Sequence, residues 1–140
     1  MKNLVSLIRP YHYIKNIFIL LPLFFAGKLT NTPLLLDGLI AFISFSMSAS
    51  AIYIFNDYRD INEDRIHPEK KYRPLTSGLI KKSTAIYTMV ILLFSSFVLM
   101  AYISINSLII LSVYVFLNIL YSLKLKQIAL LDVTMIAIGF

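Results

Sequence analysis

The sequence predicts an all-α fold, a polytopic bundle of transmembrane helices. Hydrophobic residues make up 59% of the 140 positions and charged residues only 14%. Soluble domains are nearer half apolar and a quarter charged. The apolar residues also occur in long blocks, and the block from Ser83 to Leu123 contains no charge. It is long enough for two spans of ~20 residues each. We therefore expect an integral membrane protein in contact with a lipid bilayer.

The apolar blocks define the individual helices. "NIFILLPLFFAG" at 16–27 reaches span length when its flanking apolar residues are included, and "PLLL" at 33–36 extends a second uncharged run backwards. The polar stretch "SINS" at 104–107 divides the long block into a third and a fourth span. The last apolar run reaches only ~21 Å as a helix, short of a ~30 Å hydrocarbon core. The predicted helices are 13–31, 35–56, 83–103, 106–123 and an incomplete 127–140, with a charged loop over 56–82.

Basic residues are divided unevenly between the two ends of these spans. With four spans, all but Lys28 of the thirteen Lys and Arg residues fall on the side of the N-terminus and the 57–82 loop. The positive-inside rule places that side in the cytoplasm, with the protein in an inner or plasma membrane. Cations at membrane borders, among them Lys70, Lys81 and Lys82, are interpreted as lipid anchors. They account for the net charge of +6, so we expect no nucleic-acid partner.

The charged loop opens with carboxylates, in "FNDYRDINEDRIHPEKKYRPLTSG" at 55–78. If the second helix continues towards Pro68, Asp57, Asp60 and Asp64 fall at i, i+3 and i+7 on one face, with Asn56 beside them. Such carboxylates repel each other unless a cation lies between them. With no Cys and only two His in the chain, a hard, oxygen-binding ion such as Mg²⁺ is favoured. A solvated helix end is the alternative explanation of the same spacing.

Cations follow the carboxylates in the loop. A pyrophosphate bound through Mg²⁺ needs its remaining charge matched by Lys or Arg, and Arg does so with two parallel hydrogen bonds. Arg65, Lys71 and Arg73 are within reach of a short turn, and we interpret them as substrate-binding. Near the first helix, Lys15 has two interpretations, a contact to a lipid phosphate or an ordinary interfacial anchor.

Several segments together resemble the UbiA superfamily of intramembrane prenyltransferases. "NDYRDINED" at 56–64 matches the family motif N-D-x-x-D-x-x-x-D, and "YRPLTSG" at 72–78 resembles the arginine-proline segment of the same loop. "ILYSLKLKQIALLDV" at 119–133 resembles the tyrosine-lysine segment after the fourth helix. The resemblance implies that the three aspartates bind Mg²⁺ and act in catalysis. It also implies that substrate phosphates are bound by further side chains, namely Asn56, Arg73, Tyr121 and either Lys124 or Lys126.

The resemblance also bears on the reaction. "RPYHYIKN" at 9–16 and the loop look most like the decaprenyl-phosphate phosphoribosyltransferase branch. That branch transfers phosphoribose from a pyrophosphate-bearing co-substrate, phosphoribosyl pyrophosphate, to a polyprenyl phosphate. The alternative branch moves a polyprenyl group from its pyrophosphate to an aromatic acceptor. Many aromatic prenyltransferases read Y-x-x-x-K, whereas Tyr121 is followed by lysines at 124 and 126. This difference favours the phosphoribosyltransferase branch and leaves open which lysine contacts phosphate.

The resemblance covers only the first half of a family member. A second aspartate-rich motif, the D-x-x-x-D of the family's C-terminal half, does not follow the first one, because Asp132 is the only aspartate after Asp64. The implied fold is therefore the N-terminal half of a UbiA-type helical ring, which alone is expected to be an incomplete enzyme. A second chain is one source of the missing half. A truncated, non-catalytic membrane protein is the alternative from a different class.

Overall fold

A computed structural model describes residues 2–123, and every regular element in that range is a helix. The fifth predicted helix, 127–140, lies outside the described residues. In chain order the elements are α1 (Lys2–Ile8), a 3-10 helix (Pro10–Leu20), α2 (Leu21–Phe25), α3 (Thr32–Arg59), α4 (Ile61–Ile66), a short 3-10 helix (Lys70–Tyr72), α5 (Lys82–Ile103) and α6 (Ile105–Leu123).

Three of the described helices, α3, α5 and α6, are long and apolar enough to cross a membrane. α3 is central, because it contacts α1, the longer 3-10 helix, α2, α4, α5 and α6. The chain reverses between α5 and α6 at Ser104, whose hydroxyl accepts a hydrogen bond from the Ser107 N–H at 3.1 Å and so caps α6. The predicted all-α membrane bundle is confirmed over the described residues.

The first predicted span, 13–31, is not one α-helix. It is mainly 3-10 helix, followed by α2 and by a turn in which Gly27 has φ 64°. The hydrogen bonds to α3 explain this conformation: Tyr13 Oη lies 2.9 Å from Ser50 Oγ, and Asn16 Nδ2 donates to Ser46 Oγ at 2.9 Å. Three residues of a 3-10 helix rise about 6 Å, as do four residues of an α-helix. Side chains at i and i+3 therefore stay in register with serines four residues apart.

The second predicted helix is longer than its apolar run but ends before Pro68. Asn31 caps α3 by accepting a hydrogen bond from the Leu34 N–H at 3.2 Å. At the other end Asp60, with φ −88° and ψ 10°, separates α3 from α4. Just beyond it, Ile61 is buried in a cluster with Ile54 and Leu75. Burial of Ile61 turns α4 towards the core, so the acidic residues lie on two helices rather than one.

Buried serines join α3 to α5 in the middle of the bundle. Ser96 Oγ donates to the Ser44 carbonyl at 2.8 Å, and Ser44 Oγ donates to the Ser96 carbonyl at 2.7 Å. Ser48 Oγ completes the network by a hydrogen bond with Ser96 Oγ. All three side chains are fully buried. Small residues allow the two backbones to approach closely, and the exchanged hydrogen bonds replace the water that a membrane lacks.

Replacing Ser96 by Ala is expected to lower the free energy of unfolding by about 1 kcal/mol, because the Ser44 carbonyl and the Ser48 hydroxyl both lose the Ser96 hydroxyl as a partner. The measurement is the thermal unfolding temperature of the purified protein in detergent. Ser95→Ala, one position earlier on a partly exposed face, is the matched control. Equal unfolding temperatures for the two variants would show that the network does not stabilise the α3–α5 contact.

Candidate functional site

One end of the bundle carries a charged cavity of about 210 Å³. Its wall combines the residue after α1, the last turns of α3, the loop after α4 and the end of α6. The lining residues are Arg9, Tyr53, Asn56, Asp57, Asp60, Lys70, Arg73, Tyr121 and Ser122. Three cations and two carboxylates therefore line one small space. Such a balance suits an anionic ligand.

Arg9 reaches Asp57 from the N-terminal segment. Its Nη2 donates to both carboxylate oxygens of Asp57 at 2.7 Å, although 48 residues separate the two in sequence. Arg9 has φ 57° and ψ 54°, a left-handed conformation that costs a non-glycine residue roughly 1–2 kcal/mol. The following Pro10 disfavours the right-handed α conformation at this position. The ion pair with a buried carboxylate offsets the strain and aims the guanidinium into the cavity.

Arg73 connects two of the predicted aspartates. Its Nη1 lies 3.0 Å from Asp57 Oδ1 and 2.7 Å from Asp64 Oδ2. The other oxygen of Asp64 is 3.9 Å from Lys70 Nζ. Both aspartate side chains are only 3% exposed, so they require cationic partners to remain charged. Arg73 therefore supplies a positive charge between Asp57 and Asp64, where the sequence predicts a metal ion.

Aromatic rings support the cavity beside Arg9. The guanidinium carbon lies 5.3 Å from the centre of the Tyr53 ring, and the centre of the His12 ring is 5.2 Å from that of Tyr53. Partial burial lowers the pKa of His12, and the positive charges of Lys15 and Arg9 lower it further. His12 therefore stays neutral to a lower pH than a free histidine.

The end of α6 is attached to the end of α3. The Ser122 hydroxyl donates a hydrogen bond to Asn56 Oδ1, and Arg59 Nη1 donates to the Ser122 carbonyl at 2.7 Å. This attachment brings Tyr121 to the cavity wall. It also orients the Asn56 amide, whose oxygen faces the Ser122 hydroxyl.

Comparison with known proteins identifies the family. The profile of the UbiA prenyltransferase family matches residues 16–140, which is most of the chain. The chain belongs to the UbiA prenyltransferase family. It is 33% identical to the decaprenyl-phosphate phosphoribosyltransferase of Mycolicibacterium smegmatis, over 99% of this chain and 46% of the relative. The protein of the same name from Corynebacterium glutamicum is 30% identical over 99% of this chain and 43% of its own length. An uncharacterized protein, y4nM, of Sinorhizobium fredii is 31% identical over 99% of this chain and 27% of its own length.

The chain spans less than half the length of these curated relatives. Membership of the UbiA family, together with three apolar helices of membrane-crossing length, shows an integral membrane protein. The resemblance seen in the sequence motifs is therefore confirmed at the level of the family.

The structure gathers part of the UbiA-like motif set in the cavity. Asn56, Asp57, Asp60, Arg73 and Tyr121 line it, and Asp64 lies next to it through its contact with Arg73. Other residues predicted from sequence do not line it: the side chains of Lys15, Arg65 and Lys71 are exposed. Lys124 and Lys126 lie outside the described residues.

Four cavity residues were not among the sequence predictions. They are Arg9, Tyr53, Lys70 and Ser122. From sequence, Lys70 is expected at the lipid border, but in the structure it faces Asp64. Arg9 is the first residue of the "RPYHYIKN" segment, which resembles the family. That resemblance is the sequence feature from which Arg9 could have been predicted as a site residue.

The oxygen donors of the cavity suit a hard metal ion by their chemistry. Asp57 and Asp60 line it and carry carboxylate oxygens, the ligands that Mg²⁺ prefers, whereas the amide oxygen of Asn56 accepts from the Ser122 hydroxyl. Residues 2–123 nevertheless contain no group of three or more acidic, His or Cys side chains arranged to hold a metal ion. Both oxygens of Asp57 are engaged by arginine. Binding of a metal therefore requires the arginines to exchange carboxylate partners for another anion.

Proposed function

We propose that the protein is a Mg²⁺-dependent intramembrane transferase that cleaves a pyrophosphate donor. The observation that carries this proposal is the cavity in which Arg9, Lys70 and Arg73 face Asp57 and Asp60. The guanidinium groups have the geometry to bind phosphate oxygens with two hydrogen bonds, and the carboxylates have the chemistry to hold a metal ion. A metal-bound pyrophosphate supplies a partner for both sets of charges.

The protein's own residues would promote departure of the pyrophosphate electrostatically. Asp57, Asp60 and Asp64 would hold Mg²⁺, which when bound supplies positive charge where the leaving group becomes more negative. Arg73 and Arg9 would transfer hydrogen bonds from the carboxylates to phosphate oxygens, stabilising the charge that develops as the C–O bond breaks. Lys124 and Lys126, after the end of α6, are proposed as further phosphate ligands, together with Tyr121. Arg65, Lys71 and Lys15 are exposed, and their contribution would require contact with a substrate that extends beyond the cavity.

For the reaction, we favour transfer of phosphoribose from phosphoribosyl pyrophosphate to a polyprenyl phosphate. Support comes from the names of the relatives that match 99% of this chain, decaprenyl-phosphate phosphoribosyltransferases. Prenylation of an aromatic acceptor is the second candidate, because the family takes its name from prenyl transfer.

The two reactions are separated by one assay. Membranes containing the complete protein are supplied with polyprenyl phosphate and labelled phosphoribosyl pyrophosphate, and the lipid extract is measured for label. We expect a labelled lipid whose formation stops when Mg²⁺ is chelated. An unlabelled lipid extract, accompanied by prenylation of an added aromatic acid from polyprenyl pyrophosphate, would contradict the phosphoribosyl assignment.

We also propose that the cavity faces the cytoplasm. Arg9, Lys70 and Arg73 lie at the cavity end, while Lys28 lies in the turn before α3, at the other end of that helix. The positive-inside rule favours the cavity end as cytoplasmic.

Lys28→Cys and Lys71→Cys variants test this orientation in a cysteine-free background, because both positions are exposed. A membrane-impermeant maleimide added to intact cells is expected to label Lys28→Cys, and to label Lys71→Cys only after the membrane is permeabilised. The reverse labelling pattern would contradict the orientation.

A further inference from the structure

A second cavity lies between α3 and α5 at the same end of the bundle. It measures about 180 Å³ and is lined by apolar surface of Ile54, Phe55, Tyr58, Ile86 and Met89. No residue in its wall belongs to the charged cavity. Successive residues of an α-helix are ~100° apart, so Phe55 and Tyr58 lie at least ~100° around α3 from Asp57, while Ile54 lies between them and Asp57. We call this space the α3–α5 groove.

Two lysines lie at the α5 end of the groove. Lys82 is the first residue of α5, and its Nζ lies 5.9 Å from the centre of the Tyr58 ring, which lines the groove. Lys81 precedes it as the cap residue, and both lysines are exposed. Within residues 2–123 neither lysine forms an ion pair, and the first turn of α5 contains no acidic residue. Positive charge is therefore concentrated at the groove without an internal counter-ion.

We propose that the α3–α5 groove binds one acyl chain of an anionic phospholipid, with the lipid phosphate against Lys81 and Lys82. The apolar wall offers no hydrogen-bond partner to a polar headgroup, whereas the two exposed lysines offer positive charge to an anionic one. The groove volume of about 180 Å³ is smaller than the volume of cavities that enclose whole small molecules. It therefore suits part of an acyl chain whose remainder continues into the bilayer. Charge complementarity selects a phospholipid with a net negative headgroup over a zwitterionic one.

The proposed lipid site is separate from the proposed transfer reaction and does not rest on it. A polyprenyl phosphate also combines an anionic head with an apolar chain. The groove, however, has no aspartate in its wall and shares no lining residue with the charged cavity, so a substrate bound there would not contact Asp57 or Asp60. The anionic phospholipid is therefore the occupant that the arrangement favours.

The test is lipid retention by the complete protein, purified in mild detergent and analysed by native mass spectrometry. The protein is offered equal amounts of phosphatidylglycerol and phosphatidylcholine. We expect preferential retention of phosphatidylglycerol. Lys81→Gln and Lys82→Gln, each as a single substitution, are expected to lower this retention by about fivefold, and the two together by the product of both effects. A variant with both Lys2→Gln and Lys28→Gln removes the same charge from exposed positions elsewhere and serves as the control.

The apolar wall is tested separately. Met89→Trp fills the groove and is expected to reduce phosphatidylglycerol retention, whereas Val90→Trp, at a neighbouring position that is 53% exposed and outside the groove, is not. If Met89→Trp fails to fold, the lysine variants still decide the question, because their side chains are exposed. Unchanged phosphatidylglycerol retention in the doubly substituted Lys81 and Lys82 variant would overturn the proposal. So would displacement of phosphatidylglycerol from the groove by polyprenyl phosphate at equal concentration.

Discussion

Replacing Arg73 by Met is expected to destabilise the protein and to abolish transfer. Asp57 and Asp64 share this guanidinium, and both carboxylates are almost completely buried. Without Arg73, Asp57 keeps Arg9, but within the described residues Asp64 keeps only Lys70 at 3.9 Å. Removing one partner of a buried ion pair typically costs about 3–5 kcal/mol. Arg73 is itself partly exposed, so a value near the lower end of that range is expected. The measurements are the thermal unfolding temperature in detergent and the rate of transfer in membranes containing the complete protein.

Arg65→Met provides the matched control for Arg73. Arg65 is exposed on α4 and does not line the charged cavity, so its removal is expected to change stability by less than about 0.5 kcal/mol. Combining Arg73→Met with Asp64→Asn removes one of the carboxylates that lost its partner. This double variant should regain part of the stability but none of the activity. Equal stability of the two single arginine variants would contradict the ion-pair explanation.

Asp60→Asn is expected to reduce transfer by at least about 100-fold, because it removes a charge from the wall of the cavity in which substrate and Mg²⁺ are proposed to bind. The substitution preserves the size of the side chain. Asp60 is only partly buried, unlike Asp57 and Asp64, so the unfolding temperature should fall less than in Arg73→Met. Activity is measured with labelled phosphoribosyl pyrophosphate over a range of Mg²⁺ concentrations.

Glu63→Gln is the control for Asp60→Asn, since Glu63 is a nearby exposed carboxylate on α4 that does not line the cavity. It should retain activity and the same dependence on Mg²⁺. Turnover at the normal rate by Asp60→Asn would show that the proposed metal role of this residue is wrong. Similar losses in both variants would indicate a general effect of negative charge rather than a role at the cavity.

The apolar pattern predicts the bundle because charge is excluded from membrane-crossing helices. The uncharged block from Ser83 to Leu123 accordingly contains α5 and α6, with a turn inside the predicted polar break. The same pattern does not predict the 3-10 helix over Pro10–Leu20. That conformation depends on Tyr13 and Asn16 remaining in register with two serines of α3, and such a match between distant segments leaves no periodic signal in either one.

The candidate site was predictable where its residues are close together in sequence. The spacing of Asp57, Asp60 and Asp64 predicted one helix face with Mg²⁺ between the carboxylates. The structure places Asp57 on α3 and Asp64 on α4, and the metal remains a prediction. Arg73 contacts both Asp57 and Asp64 from within the same loop. Arg9 was not predictable from spacing, because its contact with Asp57 depends on how the N-terminal segment packs along α3. In the sequence it is one of many cations at a membrane border.

The two arginines of the cavity also differ in when they become available as the chain is made. Arg73 follows Asp57 by 16 residues and Asp64 by 9, whereas Arg9 precedes Asp57 by 48. Arg9 is synthesised first, but it cannot pair until α3 has been inserted against its segment. Arg73 emerges soon after the aspartates and before any of α5, so a counter-ion from the same short loop reaches them early. An unpaired carboxylate at a membrane is costly, and the short loop limits how long a nascent chain must expose one.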